Sequence, residues 1–566
     1  MLIKPIINIA EICARKGVQN AILSPGSRCA PLIIAFARHP DIETKTISDE
    51  RAAAFIGLGM ALQKPTIIVC TSGTAALNYG PAVAEAYYQN IPLIVLTADR
   101  PPEWVDQQDG QTIRQTNLYR PHVKASYDLP VDTSHPDAIW QVERTVSEAI
   151  NIAMTAPRGP VHINVPFREP FYPEPGEVAE FDSTVKIIDQ MENHSVLTAH
   201  QWEELLAEAR QAKNIVIVAG QNRKNPKLIN ALNTLTQVTI IGDIISNIHP
   251  VRHLIRHSEV FLARTEENIK AALRPDLLIT FGQSIISKHL KLYLRKYKAT
   301  YHWHIQLAGA VPDTYQSLKK IVRVSPAYFF SEFSQRLDGH QLEQGHYESW
   351  QPAIEGAKEI LDSFFTTTTL SFSEFEAVKW IISHLPDNSF LHLGNSMPVR
   401  YANIVGLTNP SIEVFSNRGT SGIDGSMSTA VGYALLTPKL NTLIIGDMAF
   451  FYDRNALWHQ HLPSNLKIVV LNNHGGGIFK IIKGPNQLPE LKEFFVTEQP
   501  LSAELTAQEF GLDYQCCKSR EELQRHLEVF FVDDGQAKIL EIITESDTNT
   551  DIFNQFKMHK NRRYGK

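Results

Sequence analysis

Short apolar runs rich in β-branched residues recur along the chain, and between them apolar positions return every three or four residues. In the first third, AILS (21–24), IETKTIS (42–48), TIIVCT (66–71), PLIVLTA (92–98) and VHINVP (161–166) read as strands. Helical spacing marks 51–63, with Asp49 as a cap, and 74–88. A second block repeats the alternation with NIVIVAG (214–220), VTIIGD (238–243), LLITFG (277–282) and YHWHIQL (301–307). A third carries FLHLG (390–394), EVFSN (413–417), TLIIGD (442–447), KIVVLNN (467–473) and AKILEIIT (537–544), with a helix expected over DRNALWHQHL (453–462). Such alternation predicts α/β architecture: three doubly wound domains, each a parallel sheet covered on both faces.

The breaks fall where the periodicity fails. A Pro/Glu-rich stretch at 169–180 reads as a linker, and a polar stretch at 341–351 with the threonine run 366–369 marks a second boundary. The expected domains are residues 1–180, 195–345 and 370–566. Three cores suit 566 residues, a length too great for one.

Composition narrows the class. With 43% hydrophobic and 20% charged residues the chain is an ordinary globular one, and a net charge of -6 gives no reason to expect a nucleic-acid partner. The basic stretch 557–566 reads as a solvated tail. Five cysteines without a C-x-x-C pair fit neither a disulfide framework nor a thiolate zinc site, and point to a reducing, cytoplasmic setting. No apolar run approaches the roughly 20 residues that span a bilayer, so no membrane partner is expected.

The sharpest chemistry lies in the third block. One strand ends in Gly446-Asp447, and another ends in Asn472-Asn473 before Gly475-Gly476-Gly477. Ligands of open parallel sheets sit beyond the carboxyl ends of strands. A carboxylate (Asp447), an amide oxygen (Asn473) and a carbonyl near Gly475 leave a hard cation room for phosphate oxygens and a water, and the donors suit Mg²⁺ and Mn²⁺ alike. Glycines let backbone N–H groups approach the anion closely. Gly242-Asp243 also ends a strand but lacks an Asn pair at that distance, and reads as a turn. The Gly-Asp…Asn-Asn pattern resembles the thiamine-diphosphate motif, with Met448 where many of its members carry a second glycine. Thiamine chemistry also needs a carboxylic acid of raised pKa against the aminopyrimidine. Glu50, at the head of an Ala/Gly-rich helix, is the candidate; standing alone, it reads as an acid stabilised by the helix dipole.

Ordered matches along nearly the whole chain extend the likeness: SPGSR (24–28), DER (49–51), TSGTA (71–75), ADRPPE (98–103), QTIRQ (111–115), GNSMPVR (394–400), SNRGTSGIDG (416–425) and NNHGGGIF (472–479). In these the sequence resembles the thiamine-dependent synthase family of menaquinone biosynthesis. The resemblance implies thiamine diphosphate and Mg²⁺ or Mn²⁺ as cofactors, and 2-oxoglutarate and isochorismate as substrates. It implies that Glu50 activates the cofactor and that Asp447, Asn473 and the Gly475 carbonyl hold the metal. Ser72, Gly73, Asn395, Gly446, Met448, Gly476 and Ile478 join the cofactor site, with Ile423 as the apolar wedge that bends the cofactor. Ser27, Arg28, Arg100, Gln111, Lys288, Ser396, Arg400, Arg418 and Phe479 would meet substrate; His289 stands where some members have arginine. The site would lie between two chains of a homodimer, with pairs of dimers also compatible, and the middle domain would be the place for a pathway inhibitor.

The residues support this separately. Both substrates carry two carboxylates, and the arginine fork matches carboxylate geometry. Arg28, Arg100, Arg400 and Arg418 follow strands or sit in Gly/Ser/Pro loops, where a surface ion pair would not need them. Rival readings are a 2-oxo-acid decarboxylase or acetolactate-type synthase, a nucleotide-binding dehydrogenase suggested weakly by GLGMAL (57–62), and a non-catalytic module. His302 with His304, and His459 with His461, read as packed or surface histidines, and Cys516-Cys517 as structural.

Overall fold

The computed structural model describes residues 4–337, 346–367 and 371–559. Part of the expected boundary at 341–351, part of the threonine run and most of the basic tail lie outside the described residues.

Three six-stranded parallel sheets follow one another along the chain. The first contains β1 (Asn20–Leu23), β2 (Glu43–Thr46), β3 (Thr66–Cys70), β4 (Leu93–Asp99), β5 (Ser126–Asp128) and β6 (Val161–Pro166), in the order β2-β1-β3-β4-β6-β5. The second contains β7 (Ile215–Ala219), β8 (Thr239–Gly242), β9 (Leu254–Ile255), β10 (Leu277–Phe281), β11 (Tyr301–Ile305) and β12 (Lys320–Val322), in the order β12-β11-β10-β7-β8-β9. The third contains β13 (Phe390–Leu393), β14 (Glu413–Phe415), β15 (Asn441–Gly446), β16 (Leu466–Asn472), β17 (Asp513–Cys517) and β18 (Lys538–Ile543), ordered β14-β13-β15-β16-β18-β17. The outer sheets therefore share one winding, and the central sheet has the dinucleotide-fold winding. In each outer sheet the order reverses beside its first strand, between β1 and β3 and between β13 and β15. A crevice opens at such a reversal, beyond the carboxyl ends of the strands.

The central strands are buried on every residue, as their unbroken β-branched runs require. The edge strands β2, β5, β12 and β17 are largely half-exposed, and their mixed polar sequences reflect that. The outer units are joined helix to helix. From Ala52 to Ala61 every residue of helix Glu50–Ala61 is buried, against its own sheet and against helix Ser426–Ala434. The contact is too close for side chains: a Cβ on Gly59 would lie 2.1 Å from the Thr429 carbonyl oxygen, and one on Gly432 would lie 1.9 Å from that of Ile56. Apolar residues of both units, among them Ile56, Ile68, Val431 and Ile445, form one continuous core.

Two helix expectations change. The 74–88 stretch forms two helices, Thr74–Asn78 and Gly80–Gln89, because Pro81 has no N–H to continue the first and suits the opening turn of the second. The helix expected over 453–462 is instead a short 3-10 turn, Arg454–Leu457; the regular helix comes earlier, Asp447–Tyr452, and begins at the strand tip itself. No helix among the described residues is long and apolar enough to cross a membrane.

Candidate active site

Beyond the tips of β13, β15 and β16 lies a cavity of about 240 Å³. Asn395, Ser396, Ile423, Gly446, Asp447, Met448, Asn473, Gly475, Gly476, Ile478 and Phe479 all line it. Asp447 is 2% exposed and accepts a hydrogen bond from Gln499 Nε2 at 2.8 Å. Burial raises its carboxyl; the hydrogen bonds from Gln499 and from the Met448 and Gly475 backbone oppose that without cancelling it. Asn473 Nδ2 donates to Glu374 Oε1 at 2.6 Å, while Asn473 Oδ1 is buried with no hydrogen-bond partner. The Gly475 carbonyl accepts from Gly477 N–H at 2.9 Å, leaving its second lone pair.

These donors fit an oxygen-ligated cation: a carboxylate, an orphaned amide oxygen and a backbone carbonyl bordering one cavity. Among the described residues no three His, Cys, Asp or Glu side chains group as metal ligands, so a cation here rests on the mixed set. The glycines allow tight backbone packing. Gly476 N–H donates to the Val496 carbonyl at 2.7 Å, and a Cβ on Gly475 would lie 2.8 Å from that same oxygen.

Asn395 organises the wall beside the cation donors. Its Nδ2 donates to the Asn417 and Gly422 carbonyls, each at 2.7 Å, and its Oδ1 accepts from Arg418 Nη1 at 2.8 Å. The loop bearing Arg418 and Ile423 is gripped from the first unit by Glu85, which is 1% exposed. The Glu85 carboxylate accepts from Gly419 N at 2.8 Å and from Thr420 N and Oγ1, each at 2.6 Å. Ile423 is 40% exposed, an apolar side chain left at the cavity mouth. Arg400 donates to the Ser396 carbonyl. Burial, and then the like charge of Arg418, lower the pKa of Arg400.

The first unit carries a different set after β1, β2, β3 and β4. Glu50 is half-buried at the first turn of its helix, and Asp49 caps that helix by accepting from Ala52 N at 2.9 Å. Burial raises the Glu50 carboxyl, its own backbone N–H opposes, and the Asp49 charge adds to the rise. Ser72 is buried, and Gly73 has φ +84° with its N–H donating to Gln115 Oε1 at 2.8 Å. A Cβ at Gly73 would stand 3.1 Å from the Gln111 backbone, so glycine is needed both for the angle and for the approach. Ser27 and Gln111 are exposed on their loops. Arg28 is buried, donating to the Phe167 carbonyl at 2.9 Å with its guanidinium 4.3 Å from the Phe171 ring centroid. Arg100 does have a carboxylate partner, contrary to the expectation from its loop: its Nε lies 3.1 Å from Asp109.

In the middle unit Lys288 is exposed at the start of helix Lys288–Lys296. His289 Nδ1 lies 2.7 Å from Glu259 Oε1, so this ring is engaged by a carboxylate within its own unit. Gly242-Asp243 is more than a turn. Asp243 is 3% exposed, accepts from the Ile286 and Ser287 backbone N–H groups, and lies 3.4 Å from Asn403 Nδ2 of the third unit. It thus anchors the loop before Lys288 against the third unit. A lone carboxylate at a strand tip had no partner legible in sequence. His302 and His304 are buried and both meet Thr280 Oγ1, at 3.0 and 2.8 Å, which makes them packed core histidines.

None of Glu50, Ser72, Gly73, Ser27, Arg28, Arg100 and Gln111 lines the cavity of Asp447. Within one chain the two strand-tip clusters do not line a common cavity. Three further residues were missed by sequence reasoning: Glu374 and Gln499, which contact Asn473 and Asp447, and Glu85, which holds the loop bearing Arg418 and Ile423. No spacing links them to the motifs, and Glu374 resembles an ordinary first-turn helix acid.

The N-terminal region, residues 8–118, matches the thiamine pyrophosphate enzyme N-terminal TPP binding domain, and residues 181–393 match the middle domain of thiamine pyrophosphate enzymes. A relative from Cytophaga hutchinsonii is 46% identical over 556 residues, covering 98% of this chain and 98% of its own length. One from Flavobacterium johnsoniae is 38% identical, covering 97% of each chain. One from Desulfotalea psychrophila is 40% identical, covering 91% of this chain and 94% of its own. All three bear the name 2-succinyl-5-enolpyruvyl-6-hydroxy-3-cyclohexene-1-carboxylate synthase. Likeness of that extent, over all three sheets, shows that the chain belongs to the 2-succinyl-5-enolpyruvyl-6-hydroxy-3-cyclohexene-1-carboxylate synthase family of thiamine pyrophosphate enzymes.

Proposed function

We propose that this chain decarboxylates 2-oxoglutarate and adds the resulting succinyl unit 1,4 to isochorismate. The products are CO₂ and 2-succinyl-5-enolpyruvyl-6-hydroxy-3-cyclohexene-1-carboxylate, in menaquinone biosynthesis. The observation that carries this reading is the cavity at the third sheet's reversal, where Asp447 and the orphaned Asn473 oxygen meet in a chain with full-length family likeness. When bound, thiamine diphosphate would supply a thiazolium ring as the sink for the electron pair that departing CO₂ leaves on the succinyl unit.

The chain's own residues do the rest. Asp447, Asn473 and the Gly475 carbonyl hold Mg²⁺ or Mn²⁺, with Gly446, Met448, Gly476 and Ile478 around the diphosphate and Asn395 setting the neighbouring wall. Ile423 would offer the cofactor an apolar contact at the cavity mouth. Glu50, with Ser72 and Gly73, meets its pyrimidine end, and the raised carboxyl of Glu50 suits a proton held at the ring nitrogen. Arg28, Arg100, Arg400 and Arg418 offer cations to the substrate carboxylates, joined by Ser27, Gln111, Lys288 and Ser396, with Phe479 as an apolar wall.

Because Glu50 and Asp447 do not share a cavity within one chain, a second copy supplies the acid. A homodimer is then the working unit, and pairs of dimers satisfy the same requirement. We divide the chain at residues 1–180, 195–345 and 370–566 into pyrimidine, central and diphosphate domains. The cytoplasm, a reducing compartment, suits five cysteines that are all free. The test is an assay with isochorismate, 2-oxoglutarate, thiamine diphosphate and Mg²⁺, each omitted in turn. Product should need all four; product without 2-oxoglutarate rejects the donor, and turnover of pyruvate in its place favours an acetolactate-type enzyme.

A further inference from the structure

We propose that Glu374 is a positioning residue that turns the Asn473 amide so that its oxygen, and not its nitrogen, faces the cation. The inference rests on the reading of Asp447 and Asn473 as a metal site. An Asn side chain presents either end of its amide with little steric difference, and an inverted Asn473 would aim N–H donors at a cation. The pocket removes that freedom. Glu374 is 2% exposed at the start of helix Glu374–Ser383, and its Oε1 accepts from Asn473 Nδ2 at 2.6 Å. Its carboxyl also takes a hydrogen bond from Tyr401, which is 1% exposed. An inverted amide would give up the 2.6 Å hydrogen bond from Nδ2 to Glu374 Oε1. Asn473 Oδ1 is left buried without a partner, in a residue that lines the same cavity as Asp447 and Glu374.

The remaining contacts agree. The Glu374 backbone N–H donates to Asn549 Oδ1 at 3.0 Å, which fixes the helix start that carries the carboxyl. A Cβ on Gly477 would lie 3.0 Å from Asn473 Nδ2, so a side chain there would crowd the amide where Glu374 holds it. Groups that orient a metal ligand from behind typically govern metal affinity by roughly 10- to 100-fold.

The experiment measures Mn²⁺ binding to the full chain with saturating thiamine diphosphate, read from the electron paramagnetic resonance signal of free Mn²⁺. Glu374→Leu should weaken binding by about 10- to 100-fold. Glu374→Gln, which keeps an acceptor oxygen, should recover most of that loss. In the Asn473→Ala background Glu374→Leu should cost nothing further, because its partner is gone. Circular dichroism without metal or cofactor checks folding, and Glu374→Ala serves if the Leu variant does not fold. Parent-like binding by the Leu or Ala variant overturns the proposal, as does a Gln variant as weak as Leu. Failure of the parent to bind Mn²⁺ with thiamine diphosphate overturns instead the reading of the site as a metal centre.

Discussion

The first and third sheets share one winding and carry opposite chemistry at their tips. Beyond β13, β15 and β16 stand oxygen donors, glycines and an orphaned amide oxygen around a cavity. Beyond β2 stands a half-buried acid, and beyond β3 a buried serine and a glycine of positive φ, none with a share in that cavity. The scaffold positions loops and the loops decide which side chains stand at the tips, so one winding presents oxygen donors in one unit and a half-buried acid in the other. The two units meet through helices Glu50–Ala61 and Ser426–Ala434, packed through Gly59 and Gly432, and the residues flanking Glu50 also touch the third unit, Asp49 at Asn455 and Arg51 at the Tyr452 carbonyl.

The largest expected effects set the two clusters against each other. Glu50→Gln should lower turnover by at least about 10³-fold, the scale of a lost proton-transfer group, while Mn²⁺ and thiamine diphosphate still bind as in the parent. Asp447→Ala should lose turnover and metal binding together. Mixing the two inactive variants under subunit exchange should restore roughly a quarter of parental activity, because about half of randomly formed dimers then contain one intact site. An inactive mixture, with exchange verified by mass, would mean that acid and cation donors must come from one chain.

A smaller effect tests the grip of the first unit on the third. Glu85→Ala removes the acceptor for Gly419 and Thr420 and frees the loop bearing Arg418 and Ile423. The Michaelis constant for 2-oxoglutarate should rise about tenfold, the worth of one charge-assisted hydrogen bond. An unchanged constant in steady-state kinetics would show that the loop holds its shape without Glu85.

The smallest effect concerns stability and pH. Asp453 is 1% exposed, accepts from Ser428 N at 2.8 Å and Oγ at 2.6 Å, and burial pushes its carboxyl up to about 6. A folded pKa above the unfolded value means that the folded state retains the proton longer. Stability is therefore lost as pH rises from about 4 to about 6, by at most roughly 3 kcal/mol for a shift of about two units. Asp453→Asn should flatten that part of the curve, as urea midpoints at pH 4 and pH 7 would reveal.

Much of this was legible before any coordinates. The central strands announce themselves by β-branched runs buried on both faces, and the Asp447 and Asn473 tips by glycine and oxygen donors at strand ends. The strands β5, β9, β12 and β17 escaped notice because all are edge strands, which need no two-sided apolar run, and the first three are only two or three residues long. The helix at Asp447–Tyr452 was displaced in expectation to 453–462, where apolar residues at helical spacing instead face a 3-10 turn. Asp243 read as a turn residue because its partners, Ser287 and Asn403, stand 44 and 160 positions away.

The sequence by itself determined the alternation of strands and helices, the three-sheet plan and the residue types at the strand tips, since propensity and periodicity act over a few neighbours. Only the tertiary structure decided which tips share a cavity, which end of the Asn473 amide is free and that Glu50 stands outside the cavity of Asp447. Those outcomes depend on contacts such as Glu374 with Asn473, 99 positions apart, and Glu85 with Thr420, 335 apart. No local pattern encodes such a pairing; it exists only once the sheets have wound and packed.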